Sequence, residues 1–295
     1  MPLNDELAET EGVDESTAGL DGLETPALVE LLVEGQRGAV AAVLAQRDAI
    51  AAVVEEIARR LAHGGRLHYV GAGTSGRLAA LDAAEMPPTF GTEPELVQAH
   101  IAGGVSALVR AIEGAEDDAI AGEAAARAFE PGDAVIGLSA SGEAAYVVAA
   151  IATARARGAF TTAIVNGEPS ALAAAAERTI LLRTGAEALA GSTRLRAGTA
   201  QKIALNAIST AVMVRLGKIY DNLMVDVVAT NRKLRARALR LVQAIAAVDA
   251  ERAAALLDSA NGSVKIAVGM SRRGVDATEA HRLLDEHSGR LRNLL

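Results

Sequence analysis

The sequence predicts an α/β fold: a parallel sheet of about five strands covered on both faces by helices, with helical N- and C-terminal segments. Three observations lead there. Short β-branched runs alternate with Ala-rich helical stretches through the middle of the chain, the pattern of a parallel sheet whose crossovers are helices. Two of the runs end in loops of glycine and hydroxyl residues. Both ends of the chain carry helical periodicity without strand signals.

The elements follow in order. Residues 1–25 are polar and acidic, and partial order is the most expected of them. From Ala27 to Ala62 the pattern is helical, with Val43, Ile50, Val54, Ile57 and Leu61 on one face. Gly35 and Gly38 divide it into two helices, and Gly64–Gly65 ends it. Strands are expected at Arg66–Val70, Leu96–His100, Ala134–Leu138, Phe160–Val165 and Thr179–Leu182. Helices are expected between them at Gly76–Ala84, Val105–Glu113, Glu143–Arg157 and Ser170–Glu177, and a long one at Arg194–Leu216. From about Asn222 the tail reads as all helical, with segments at Asn231–Ala247, Ala250–Leu257, Ser263–Met270 and Asp276–Glu286. The organisation expected is an N-terminal segment with helices (1–54), a central ligand-binding domain (55–220) and a C-terminal helical subdomain (221–295).

Composition narrows the function. The chain has 295 residues, 51% hydrophobic and 22% charged, which suits a globular protein with a sizeable core. Aromatics are only 2%, and the net charge is −8 without a basic block, so neither base stacking nor phosphate-backbone binding is favoured and no nucleic-acid partner is expected. The absence of cysteine excludes disulfides, thiol catalysis and Cys-based zinc sites. The five histidines show no metal-binding spacing, and no metal is expected. The acidic N-terminus lacks signal-peptide character, and no run of about 18 apolar residues occurs, so the expectation is a cytoplasmic protein without a membrane partner.

The first loop, Gly71–Gly76 (GAGTSG), follows a strand and opens a helix, matching the dinucleotide-binding pattern G-x-G-x-x-G. A dinucleotide site also needs an acidic residue at the end of the second strand, where this chain has Gln98–His100. Gly73, Thr74, Ser75 and Gly76 instead offer hydroxyls and backbone N–H groups at a helix N-terminus, suited to a phosphate monoester. A tight turn serving only strand–helix packing is the competing reading. The second loop, Ser139-Ala140-Ser141-Gly142, follows the third strand in the same way. Its serines suit a ligand beyond the strand ends, and also suit capping of the next helix.

Paired hydroxyl loops of this kind resemble the sugar isomerase (SIS) domain, which implies an SIS-type doubly wound sheet. Longer motifs are more specific: GAGTSGRLAALDAAEMPPTFG (Gly71–Gly91), EGAED (Glu113–Asp117), GSTRLRAGTAQKIALNAIST (Gly191–Thr210) and RLGKIYDNLMVDVVATNRKL (Arg215–Leu234). Together they resemble the N-acetylmuramic acid 6-phosphate etherases, from about Leu20 into the C-terminal helices. The resemblance implies a cofactor-independent, homodimeric lyase of cell-wall sugar recycling. Such a lyase splits the D-lactyl ether of N-acetylmuramic acid 6-phosphate into N-acetylglucosamine 6-phosphate and D-lactate. In the open-chain sugar the C2 hydrogen is acidified by the C1 aldehyde and the ether oxygen stands on C3. A base and an acid therefore suffice for elimination, and water then adds to C3.

By the same resemblance, Glu85 would protonate the departing lactate and later help activate water, while Glu116 would take the C2 proton. Ser192 and Thr193 read as a helix cap with a sugar contact. Arg194, Arg196 and Lys202 suit either anion binding or outward charges on a long helix, and Glu187 matches a family position without an assigned role. The chain departs from the family in one loop: where the family continues SGRTPYV, this sequence has SGEAAYV, placing Glu143 beside the second loop. Two other readings use the same loops. One is an SIS-type isomerase, which would not need a second acid. The other is a non-catalytic sugar-phosphate sensor, which would need neither glutamate.

Overall fold

The computed structural model describes residues 9–226 and 232–295, and of Lys233 the backbone alone. Two compact units divide the chain. The first is the described part of residues 1–84 together with 95–209; the second is residues 85–94 with the described part of 210–295.

The first unit opens with α1 (Thr25–Glu34), α2 (Arg37–Ala45) and α3 (Arg47–Ala62). It continues with β1 (Leu67–Gly71), α4 (Gly73–Phe90, whose residues from Glu85 on belong to the second unit), β2 (Val97–Ile101), α5 (Ala119–Ala126), β3 (Ala134–Leu138), α6 (Ala145–Ala156), β4 (Phe160–Val165), α7 (Ala171–Ala175), β5 (Arg178–Leu181) and α8 (Arg196–Arg215, whose residues from Thr210 on belong to the second unit). All five strands are parallel in the order β2-β1-β3-β4-β5. The central strands β1, β3 and β4 are buried throughout, whereas the edge strands β2 and β5 are partly open. This is the burial that near-continuous apolar runs call for. On one face, Val70, Val135 and Ala163 pack with Phe129, Tyr146, Val147 and Ile151. The strand order reverses between β1 and β3, where the chain leaves β1 to one side for β2 and returns on the other. Such a switch point leaves a crevice at the C-terminal ends of the strands. Gly71 and Leu138, the last residues of β1 and β3, are register partners, so the two glycine–hydroxyl loops emerge side by side there.

Several sequence expectations are corrected. The helical stretch before Gly64 contains a second break, at Gln46, with no glycine or proline to mark it. Val105–Glu113 is not a helix: only Val105–Leu108 makes a 3-10 turn, and Val105 and Val109 are 81% and 88% exposed. Gly103 and Gly104, both at positive φ, precede it and deny it a regular start. The helix of this region is α5, capped by Asp118, whose carboxylate accepts from the Ala121 N–H at 2.9 Å. Its Ala-rich sequence carries little amphipathic signal, and Gly122 lets it lie against α6: a Cβ there would stand 2.1 Å from the Tyr146 carbonyl oxygen. Residues 9–22 form three short 3-10 turns, with Arg183 bridging Glu9 and Glu168. Residues 1–8 of the expected polar segment lie outside the described residues.

The second unit contains the hairpin β6 (Ile219–Tyr220) and β7 (Leu223–Met224), then α9 (Arg232–Ala246), α10 (Ala250–Ser259), α11 (Val264–Arg273), α12 (Ala277–Glu286) and α13 (Leu291–Leu294). The hairpin and α13 correct the expectation of an all-helical tail with four segments. Asp221, at φ 52°, and Asn222 make a two-residue turn between β-forming pairs. Asn231, the expected start of α9, lies outside the described residues. Leu241, Val242, Leu256, Val268, Leu284 and Leu291 form the core. Asp249, Ser263 and Asp276 cap α10, α11 and α12 through their side chains. The unit boundary at Glu85 falls where Pro87 and Pro88 remove the α4 hydrogen bonds to the Ala83 and Ala84 carbonyls.

The histidines are not all scattered in space. His68 is buried between Phe129, stacked at 4.3 Å, and Asp133, whose Oδ2 lies 3.3 Å from Nε2; Nδ1 is 3.2 Å from His100 Nε2. With His68 donating to Asp133, its Nδ1 accepts, and His100 donates to it. Burial lowers both imidazole pKa values, that of His100 to about 4, against the raising influence of Asp133 on His68. Unfolded imidazoles take up protons near pH 6.5 that the folded pair refuses, so the stabilisation is complete above that pH and is lost as pH falls toward 4. Urea midpoints from about pH 7.5 to 4.5 are therefore expected to fall, with His100 contributing on the order of 3 kcal/mol. His100→Gln keeps a donor toward His68 without titrating and makes the profile shallower; an unchanged pH dependence in that variant excludes His100 as its source.

Candidate active site

The first loop divides its duties. Gly76 is fixed by packing: a Cβ there would stand 2.5 Å from Ile101 Cγ1 and 2.8 Å from the Gly71 carbonyl oxygen. Ser75 is buried and its hydroxyl donates to Gln201 Oε1 at 2.7 Å. Gln201 in turn donates to Asn166 Oδ1, and Asn166 to the Leu182 carbonyl and Thr184 Oγ1. This chain ties the start of α4 to α8 and to the ends of β4 and β5. Gly73 is exposed and Thr74 half-buried. What the loop offers a ligand is thus the Thr74 hydroxyl and the first N–H groups of α4, at the positive end of a helix of 18 residues.

In the second loop Ser139 is buried and its Oγ accepts from the Gly142 N–H at 3.0 Å, while Ser141 Oγ accepts from the Glu143 N–H at 3.3 Å. These bonds brace the loop itself. Neither serine caps α6, whose cap position is Ala144, which corrects the capping expectation. Gly142 has φ +80°, and a Cβ there would meet Ser170 Oγ at 2.1 Å. The Glu143 carboxylate accepts from the Ala171 N–H at 2.9 Å, so the charge that departs from the family pattern is engaged at the start of α7.

The start of α8 lies against the first loop, since a Cβ on Gly198 would be 3.4 Å from Thr74 Cγ2. Its cap is Glu187, almost fully buried, whose two carboxylate oxygens accept from the N–H groups of Arg196 (2.9 Å) and Ala197 (2.8 Å). Ser192 and Thr193, expected to cap, precede that point; both are half-buried, and their hydroxyls have no protein partner among the described residues. Arg196 is structural, donating to the carbonyls of Gly35, Thr184 and Ala186, while Arg194 and Lys202 are exposed.

A cavity of about 170 Å³ joins the first loop to the segment after β2: Gly73, Arg77, Ile112, Glu113, Gly114 and Glu116 line it. Glu116 stands in the turn Ala115–Asp117, entered through Gly114 at φ 71°. Gly73 and Glu116 are thus brought together, with Ser139–Gly142 at the neighbouring strand end. Glu85 belongs to the second unit, exposed on the later turns of α4. Sequence reading missed Gln201, Asn166 and Arg77. Among the described residues no three His, Asp or Glu side chains are grouped to hold a metal ion.

Two family models match: the glucokinase regulatory protein N-terminal SIS domain over residues 49–155, and the SIS domain over residues 113–211. Among curated relatives, the N-acetylmuramic acid 6-phosphate etherase of Deinococcus radiodurans is 49% identical over 97% of this chain and 94% of its own length. That of Geobacillus thermodenitrificans is 47% identical over 97% of this chain and 98% of its own. The chain belongs to the N-acetylmuramic acid 6-phosphate etherase family. Its five-stranded sheet with flanking helices is the SIS-type fold of that family. Among solved structures, a phosphoheptose isomerase from Francisella tularensis is 16% identical, covers 65% of this chain and 100% of that one, and has a TM-score of 0.48.

Proposed function

We infer that this protein is a carbon–oxygen lyase that cleaves the D-lactyl ether of N-acetylmuramic acid 6-phosphate, giving N-acetylglucosamine 6-phosphate and D-lactate. The observation that carries this reading is near-half identity to curated etherases along almost the whole of both chains. The 6-phosphate is received where the two loops meet, by the N–H groups of Gly73, Thr74 and Ser75 and by the hydroxyls of Thr74, Ser139 and Ser141. Gly76 and Gly142 hold the two phosphate-binding loops in shape, where a Cβ would collide with Ile101 and Ser170, and Ser192 and Thr193 contact the sugar. Glu116, in the cavity beside Gly73, removes the C2 proton of the open-chain sugar, and the electron pair expels the ether oxygen from C3. Glu85 protonates that oxygen and afterwards assists the water that adds to C3. The working protein is a cytoplasmic homodimer with the sugar-phosphate site in residues 55–220. Dimerisation is supported by Val29, Val33, Val40 and Leu44, apolar residues of α1 and α2 that are at least half exposed. No helix among the described residues is long and apolar enough to cross a membrane.

The test is incubation of the purified protein with N-acetylmuramic acid 6-phosphate and assay of both products. Equal amounts of lactate and N-acetylglucosamine 6-phosphate support the reading; a ketose phosphate without lactate would favour an isomerase, and tight binding without product a sensor. The acid role of Glu85 has its own signature. Glu85→Ala is expected to release lactate roughly 100-fold more slowly while still exchanging the C2 hydrogen with solvent. Loss of exchange along with release contradicts that role.

A further inference from the structure

The cavity between the first loop and the segment after β2 contains one cation that the reaction as described does not use. Arg77 is half-buried on α4, one turn beyond Gly73, and lines the same cavity as Glu113 and Glu116. Its guanidinium makes a single hydrogen bond, Nη2 to the Arg110 carbonyl oxygen at 3.2 Å, and has no carboxylate partner among the described residues. Most of its five N–H donors are therefore free for a ligand. The cavity, about 170 Å³, is smaller than a site for a whole sugar phosphate and takes part of one.

The inferred substrate carries two anionic groups. Its phosphate is served by helix N–H groups and hydroxyls at the paired loops, without Arg77. Its lactyl carboxylate must approach the C2–C3 region, where the base Glu116 and the neighbouring Glu113 would repel it unless a cation intervenes. A planar guanidinium matches a carboxylate with two parallel hydrogen bonds. We propose that Arg77 binds the lactyl carboxylate and so selects the lactyl-bearing sugar phosphate over the same sugar phosphate without it. The proposal rests on the etherase reading for the identity of the ligand, while the binding role belongs to Arg77 and the cavity. Arg77 is here a specificity-determining residue, distinct from the glutamates that move protons.

The experiment compares two ligands that differ only in the lactyl group. Arg77→Met is expected to raise KM for N-acetylmuramic acid 6-phosphate roughly 10- to 100-fold, as loss of a charge-assisted hydrogen-bonded pair does. The inhibition constant of N-acetylglucosamine 6-phosphate should shift by less than about 2-fold, because its contacts are those of the phosphate and the ring. Arg77→Lys should recover part of the loss. Equal weakening of both ligands overturns the proposal, since it would assign Arg77 to the phosphate or to bracing the Arg110 segment; no change for either overturns it as well. Calorimetric titrations in the Glu116→Gln background read binding without turnover. If the wild type releases no lactate, the etherase reading fails. Arg77 still stands if the Glu116→Gln protein binds the lactyl-bearing sugar more tightly and adding Arg77→Met removes the preference.

Discussion

Glu116→Gln is expected to lower lactate release by about 10³- to 10⁴-fold while leaving the affinity for N-acetylglucosamine 6-phosphate nearly unchanged. The amide has the shape of the carboxylate and no basic oxygen able to take the C2 proton. Placement makes the test specific. Glu116 lies in a short turn at the cavity wall, exposed to that space and outside the buried core, so the substitution removes chemistry without removing packing. Glu113, two residues from the turn and lining the same cavity, is the control. Glu113→Gln should reduce turnover by less than about 10-fold if Glu116 is the base. A Glu113 variant that is the slower of the two, with Glu116→Gln near wild type, would exchange the assignments. Deuterium exchange at C2 should disappear together with lactate release in Glu116→Gln, because both require the same proton to leave.

The largest expected effect on stability comes from Asp82. This carboxylate, 2% exposed, accepts from the Tyr69 hydroxyl at 2.9 Å, the Asn206 amide at 2.7 Å and the Ser209 hydroxyl at 3.1 Å. It fastens α4 at once to β1 and α8 inside the first unit. Tyr69 is fully buried, and burial, reinforced by the charge of Asp82, pushes its phenol pKa well above the usual range, so the hydroxyl keeps its proton and donates. Asp82→Ala leaves these donors without their acceptor in the interior, and a loss of about 3–5 kcal/mol is expected in chemical denaturation. Asp82→Asn retains one carbonyl oxygen for Asn206 and Ser209 and should cost only about 1 kcal/mol. Similar losses in both variants would place the cost in the charge rather than in the hydrogen bonds.

β3 and β4 were legible because short runs rich in β-branched and apolar residues, each ending at a polar residue (Ser139 and Asn166), are what a strand buried on both faces calls for. α9 was legible in the sequence through its periodicity, and α10, α11 and α12 through side-chain caps as well, signals that act within a few residues. α5 was not, since Ala and Gly give no polar or apolar face to detect. The hairpin at Ile219–Met224 was missed although Asp-Asn between β-forming pairs was a usable signal. At the site, Gly73 and Gly142 were legible because the positive φ that each adopts is a local demand of its turn, whereas the contact of Gly76 with Ile101 was not. Thr74 and Ser75 read alike in sequence, and only folding separates them, turning Ser75 inward to Gln201, 126 positions away, and leaving Thr74 half-buried. Glu187 likewise became a helix cap only once α8 was placed against its loop. Contacts of that range have no sequence signature in a single chain.

Whether lactate leaves by abstraction of the C2 proton is read most directly by running the reaction in deuterated water. N-acetylglucosamine 6-phosphate isolated from wild-type turnover should carry one carbon-bound deuterium, at C2, with lactate formed in equal amount and free of carbon-bound label. Product without deuterium at C2, beside full lactate release, would mean that the ether breaks by direct displacement and that Glu116 is not its base.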